Sequence, residues 1–294
     1  MHPMKGKKIM LWEELLVDEF EDAVEKAKGV CAIPIGCVEA HGVHLPLGCD
    51  VMHAFLNTKL AAEREPVVVF PPLYFGEKSG AGEFKGTIIF PETFIHEILQ
   101  HCCDEIYRNG FKKIIIINGH GGNGSMLNNF ARSILQKRRG YTVFVLSEDL
   151  GNCMPKKILE NIEKYPSLTK EDIENLEEYV ANNKAGGHGC FTETGWIYGV
   201  RPELVRLDKM NDKDGTSTHR FDEFTAHKIY TPFGWMGNQP NSLSADYQKG
   251  MNERIAAVMT ERCVEQLADA FKFLKEETVS TEYYEEWAAK NPLI

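Results

Sequence analysis

Lys113-Ile114-Ile115-Ile116-Ile117-Asn118 runs directly into Gly119-His120-Gly121-Gly122-Asn123-Gly124. An uninterrupted block of isoleucine has no polar alternation, so it reads as a strand buried on both faces, as the centre of a parallel sheet covered by helices requires. Three more segments rich in β-branched residues, Val30 to Val38, Val67 to Tyr74 and Thr142 to Ser147, read as its neighbours. Apolar residues recur at spacings of three and four over Trp12 to Lys28, Val51 to Glu63, Glu92 to Arg108 and Ser125 to Arg138, which predicts helices there. Helix and strand therefore alternate along the first half of the chain. That order predicts an α/β fold, a three-layer α/β/α sandwich with a mainly parallel sheet of about four core strands and right-handed crossovers. Ligands of such sheets collect at the carboxyl ends of the strands.

The 294 residues are expected to form a single α/β domain (1–294), large enough to bury a substantial core. Residues 152–185 read as a helical insertion or lid, because Lys156 to Asn183 is charged and holds no cluster of catalytic residue types. Asn252 to Lys275 predicts a long helix packed on the sheet, and 276–294 a peripheral tail. The net charge is −10 and the basic residues are scattered, which argues against nucleic acid as a partner. No apolar run approaches the ~20 residues of a membrane span, and the amino terminus meets acidic residues before any signal-like segment. A cytoplasmic protein with no membrane partner is expected. None of the eight cysteines forms a CxxC pair, so most are expected to be buried reduced thiols.

The chemistry concentrates after the first strand, in Cys37-Val38-Glu39-Ala40-His41-Gly42-Val43-His44-Leu45-Pro46-Leu47-Gly48-Cys49-Asp50. Carboxylates and imidazoles packed this closely near a sheet edge repel or desolvate one another unless a cation neutralises them. A divalent zinc, manganese or iron ion suits that mixture of donors. Glu39 and His41 alternate along an extended segment and point to one side, while Asp50 can reach back as a bridging ligand. Taken singly, each has a plainer reading: Asp50 as the N-cap of the helix from Val51, and His41 and His44 as hydrogen-bonded core groups. His120, in the loop after the isoleucine strand, is placed to add a further donor. The same loop satisfies GxGxxG with Gly119, Gly121 and Gly124, and the next strand leads to Glu148-Asp149, so a dinucleotide-binding oxidoreductase is the alternative from another class. Against it, an imidazole occupies the position that would face a pyrophosphate. Glu193, within Gly186 to Gly195, could complete a second ion's ligands or open a helix, and His188 could relay protons.

At these motifs the chain resembles the creatininase family of metal-dependent hydrolases. The resemblance rests on EAHGVHLPLGCD, NGHGGN and HGCFTETG, spread in order over about the first two thirds of the chain. It implies an α/β sandwich, two divalent metal ions (Zn, Mn or Fe), and hydrolysis of a small cyclic or linear amide through a metal-bridging hydroxide. It also implies a homo-oligomer, commonly a hexamer. Carried onto this chain, it makes Glu39 and His120 ligands of one ion, His41 a ligand of the other and Asp50 the bridge. Glu193 is assigned as both ligand and catalytic residue, because Gly122 stands where creatininase itself has a metal-binding glutamate. His188 is assigned as the proton donor. Gly187 replaces a catalytic glutamate, Cys49 a threonine, and Phe84-Lys85-Gly86-Thr87 the family's FPGT, so creatinine is not the expected substrate. Ser79, Glu83, Lys85, Trp235 and Asn238, together with Lys78, are the candidate substrate-binding groups. They would also suit a keto-inositol or related cyclic polyol ketone, which is the second substrate reading.

Overall fold

The computed structural model describes residues 9–78, 80–146, 155–182, 187–243 and 248–291. Five parallel strands form one sheet: β1 (Met10–Leu11), β2 (Val30–Ile35), β3 (Val68–Val69), β4 (Lys113–Asn118) and β5 (Thr142–Leu146), in the order β1-β3-β2-β4-β5. The helices are α1 (Phe20–Lys26), α2 (Cys49–Arg64), α3 (Glu92–Arg108), α4 (Asn123–Ser133), α5 (Pro155–Leu159), α6 (Lys170–Asn182), α7 (Phe191–Tyr198), α8 (Asp222–Ala226), α9 (Gly234–Asn238), α10 (Glu253–Glu276) and α11 (Val279–Lys290).

Alternation along the strands creates the three layers. Cys31, Ile33, Ile35, Ile114 and Ile116 point to one face and pack on α1, α3 and α4 through Ala23, Leu99, Cys103, Ile106, Leu127 and Phe130. Val30, Ala32, Val69, Ile115 and Ile117 point to the other and pack on α2 and α10 through Ala61, Ala62, Val264, Leu267 and Phe271. A third cluster joins α5 and α6 to α7 and α10, with Ile158, Leu176 and Tyr179 against Phe191, Ile255 and Met259. Asp172 on α6 accepts from Arg254 Nε at 2.7 Å and Asn252 Nδ2 at 2.6 Å, tying that helix to the start of α10. The segment 152–185 is thus helical where it is described, and it is anchored on the domain. In the tail, the Tyr284 hydroxyl accepts from the amides of Arg139 and Gly140 and so docks α11 beside β5.

Three boundaries differ from expectation. The segment Val67 to Tyr74 narrows to a two-residue strand because Pro71 and Pro72 carry no amide donor; Leu73 then resumes contact with β2 through its amide to Pro34 O. Trp12 to Lys28 does not form one helix. Leu15 and Leu16 are extended, two short 3-10 turns precede α1, and Trp12 turns inward against Phe20, Phe70 and Phe111. Ahead of them Met10–Leu11 adds an edge strand, which makes the sheet five-stranded. Finally, α4 begins at Asn123 and ends at Ser133, followed by a 3-10 turn. Six cysteines (31, 37, 49, 102, 103 and 190) are free thiols, as expected for most of the eight, whereas Cys263 is disulfide-bonded. The expectations placed on Ser147, Glu148, Asp149 and Cys153 lie outside the described residues.

Two glycines set the position of α2. A Cβ on Gly36, at the end of β2, would lie 2.3 Å from Val51 N and 2.6 Å from the carbonyl carbon of Asp50. A Cβ on Gly119, after β4, would lie 2.3 Å from Asp50 O. The first turn of α2 is therefore wedged between two strand ends, with backbone where side chains would otherwise be. Gly36→Ala or Gly119→Ala should each destabilise the chain by about 1–3 kcal/mol through overpacking. The check is a lower urea midpoint at unchanged slope; a midpoint equal to wild type would mean the turn is free to shift.

Candidate metal centre

Glu39 and His41 follow β2, His120 follows β4, Lys78 lies beyond β3, Asp50 occupies the first turn of α2, and Glu193 the first turn of α7. All face the carboxyl rim of the sheet, and Glu39, His41, Asp50 and His120 are buried. Asp50 does not cap its helix: α2 begins at Cys49, its N-cap is Gly48, and no side chain caps it. The Asp50 carboxylate is turned instead into the cluster.

Its two oxygens face two different groups of donors. Asp50 Oδ2 lies 3.0 Å from His120 Nδ1 and 2.9 Å from Cys37 Sγ. Glu39 Oε1 closes this group, 3.0 Å from His120 Nδ1 and 3.4 Å from Cys37 Sγ. Asp50 Oδ1 lies 3.1 Å from His41 Nε2, and Glu193 Oε2 lies 3.6 Å from the same nitrogen. Backbone carbonyls orient both imidazoles. His41 Nδ1 donates to Glu39 O at 3.2 Å and His120 Nε2 donates to Glu77 O at 2.8 Å, which turns the remaining nitrogen of each ring toward the carboxylates. A metal-ligating histidine is typically held this way, with the second nitrogen fixing tautomer and ring angle.

The charges balance only with cations present. Burial works against charge on Asp50, but His41 and His120 outweigh it and hold the carboxyl well below the usual range. Burial likewise opposes charge on Glu39, yet His120 and His188 bring it down to about 2. Burial would lower His41, but Asp50 and Glu193 override it and raise the ring to about 10; His120 is raised for the same reason by Asp50 and Glu39. Glu193, dominated by burial, rises to about 7. Without metal, then, imidazolium protons and Lys78, whose Nζ is 2.5 Å from Glu39 Oε2, offset the carboxylates. Carboxylate oxygens, correctly presented imidazole nitrogens and a thiol within 4.8 Å of one another in a dry pocket fit a divalent ion.

Around this centre, His188 stacks on His41 at 4.0 Å and donates from Nε2 to Ala40 O at 2.6 Å. Burial, then the neighbouring His41, lower it to about 3, so the ring is neutral at pH 7. Glu193 Oε2 accepts from the Gly189 amide at 2.5 Å. His44 bonds Thr194 Oγ1 at 3.0 Å and burial lowers it to about 4; it braces α7 as a neutral core group, the plainer of its two readings. Trp235 packs 4.3 Å from Lys78 Nζ and 5.1 Å from the His188 ring. Glu83 and Lys85 are exposed on the turn after Ala81. The Asn238 amide is engaged within its own loop by Phe221 N and Asp222 Oδ1. Ser79 lies outside the described residues. Sequence reasoning missed Cys37 as a neighbour of the donors, although Cys37, Glu39 and His41 alternate along one extended segment and so share a side.

The glycine loop after β4 packs against α2 and aims His120 at carboxylates, and no helix among the described residues is long and apolar enough to cross a membrane. Fold and site together define a metal-dependent hydrolase of C–N amide bonds. Residues 13–271 match the creatininase family profile, described as creatinine amidohydrolase, and the chain belongs to that family. A creatinine amidohydrolase of Pseudomonas putida is 26% identical over 270 residues, covering 88% of this chain and 95% of its own. A mycofactocin precursor peptide peptidase of Mycobacterium ulcerans is 23% identical over 253 residues, covering 80% of this chain and 83% of its own. The solved structure of a manganese creatininase shares the fold, with a TM-score of 0.70 at 22% identity over 92% of this chain and all of that one.

Proposed function

We propose that the chain is a binuclear hydrolase of a small cyclic or linear amide. The observation that carries this reading is Asp50, whose two carboxylate oxygens each face a separate donor group. Glu39 and His120 would hold one ion and His41 and Glu193 the other, with Asp50 shared between them. Two divalent ions, zinc, manganese or iron, would lower the pKa of a water and polarise the amide carbonyl.

The side chains then have distinct tasks. Glu39 spends Oε1 on the centre while Lys78 neutralises Oε2, which keeps that carboxylate from swinging. His188, neutral and stacked on His41, would take the proton given up by the attacking water and pass it to the leaving nitrogen as the C–N bond breaks. Glu193, the carboxyl closest to neutrality, couples its charge to that step. Trp235 forms a wall, with Ser79, Glu83, Lys85 and Asn238 as further contacts for the substrate. Exposed Ile229, Tyr230 and Phe233 support assembly as a homo-oligomer. The resemblance to a peptide peptidase keeps short peptides among the substrates to be tried.

Elemental analysis of purified protein, followed by a hydrolysis screen of lactams, formamides, short peptides and cyclic polyol ketones, tests the reading. A metal-free active enzyme, or a fully loaded one inert to every amide, would overturn it. On the substrate so found, His188→Gln should lower kcat roughly 10²–10⁴-fold with metal content unchanged. Wild-type kcat in that variant would remove His188 from the chemistry.

A further inference from the structure

Building on the two-ion reading, we infer that Cys37 is the fourth protein ligand of the ion held by Glu39, Asp50 and His120, and that its sulfur biases that position toward zinc. Cys37 Sγ sits 2.9 Å from Asp50 Oδ2 and 3.4 Å from Glu39 Oε1, and these atoms with His120 Nδ1 lie mutually within 4.8 Å. A tetrahedral zinc site with bonds of about 2.0–2.3 Å has donor-to-donor edges of roughly 3.3–3.7 Å. Four of the six edges among these donors measure 2.9 to 3.4 Å, slightly short of that range, and the other two lie within 4.8 Å.

The surroundings leave the sulfur little else to do. Cys37 is buried and directed at two carboxylates rather than at the apolar core. It leaves β2 on the same side as Glu39 and His41, so the strand end that delivers two donors delivers this one too. Lys78 occupies Glu39 Oε2, which makes Glu39 a one-oxygen ligand and leaves room for sulfur beside the water in a five-coordinate shell. On binding, the thiol proton leaves to solvent and the thiolate donates to the ion, with no change in oxidation state. Soft thiolate favours zinc over manganese, whereas oxygen and nitrogen alone discriminate less.

Cobalt(II) reports the bond directly, because a thiolate ligand adds a sulfur-to-metal charge-transfer band in the near ultraviolet. The full-length chain, loaded with cobalt and checked for metal content, should show that band. Cys37→Ser should lose it while still binding cobalt, whereas Cys49→Ser, beside His41 and Asp50, should keep it. Zinc affinity of Cys37→Ser should fall at least ~10-fold, with manganese affinity changed less. Loaded wild type without the band, or a band lost only in Cys49→Ser, overturns the assignment while leaving the two-ion reading intact. Failure to bind cobalt at all overturns both. If Cys37→Ser does not fold, the wild-type and Cys49→Ser spectra still decide the matter.

Discussion

Asp50→Ala should empty both positions of the centre at once, leaving metal content near zero. Glu193 faces His41, so Glu193→Ala is expected to release the ion beside His41 and to keep the other. Activity of Asp50→Ala should fall roughly 10³-fold or more, since the ions are asked to supply several kcal/mol of transition-state stabilisation. The backbone should stay in place, because α2 is held by Gly36 and Gly119 and by its packing on α10, none of which involves the carboxylate. Elemental analysis beside a far-ultraviolet circular dichroism spectrum checks this. An Asp50→Ala protein with full metal content would show that the two groups bind independently, and the shared-ligand reading would be wrong.

Metal uptake by the metal-free chain at pH 7 should release protons from His41 and His120, and a further one from Cys37 where it ligates. His41 is raised to about 10 and His120 is raised as well, so both rings are charged at neutrality and must surrender a proton to bind an ion. Affinity at the position beside His41 should therefore climb about tenfold per pH unit across the neutral range, and at the position beside His120 and Cys37 more steeply. Titration calorimetry in buffers of different ionisation enthalpy measures the release directly. A pH-independent affinity would mean the rings are already neutral in the metal-free state. The sign for stability is opposite. Because the folded-state value of His41 lies above its unfolded one, its contribution to the metal-free fold is complete below about 6.5 and disappears as pH rises through about 10.

Much of this was legible in the chain. The isoleucine block could only be a central strand, since both faces of β4 demand apolar cover, and the loops after β2 and β4 then had to meet at one rim. That Glu39, His41, Asp50 and His120 would gather was readable because carboxylate and imidazole in such density are costly apart from compensating charge. What escaped was set by long-range packing. Nothing local to Trp12 shows that its ring will turn toward Phe70 and Phe111 and break the helical pattern. Pro71 and Pro72 lack the amide donors that a longer strand needs, which cuts the apolar segment short. Cys37 was passed over because a lone thiol is usually inert core, and only the folded turn shows it directed at the Asp50 and Glu39 carboxylates.

The pinch that holds Asp50 also divides the molecule for anyone wishing to change what it hydrolyses. Positions 36 and 119 are filled by a neighbour's main chain, so even the smallest added methyl there would displace the shared carboxylate before touching a substrate. The turn carrying Glu83 and Lys85 and the segment carrying Trp235 obey no such restriction. Libraries built on those two rims can therefore retune selectivity while the ion-holding frame beneath them is inherited unaltered.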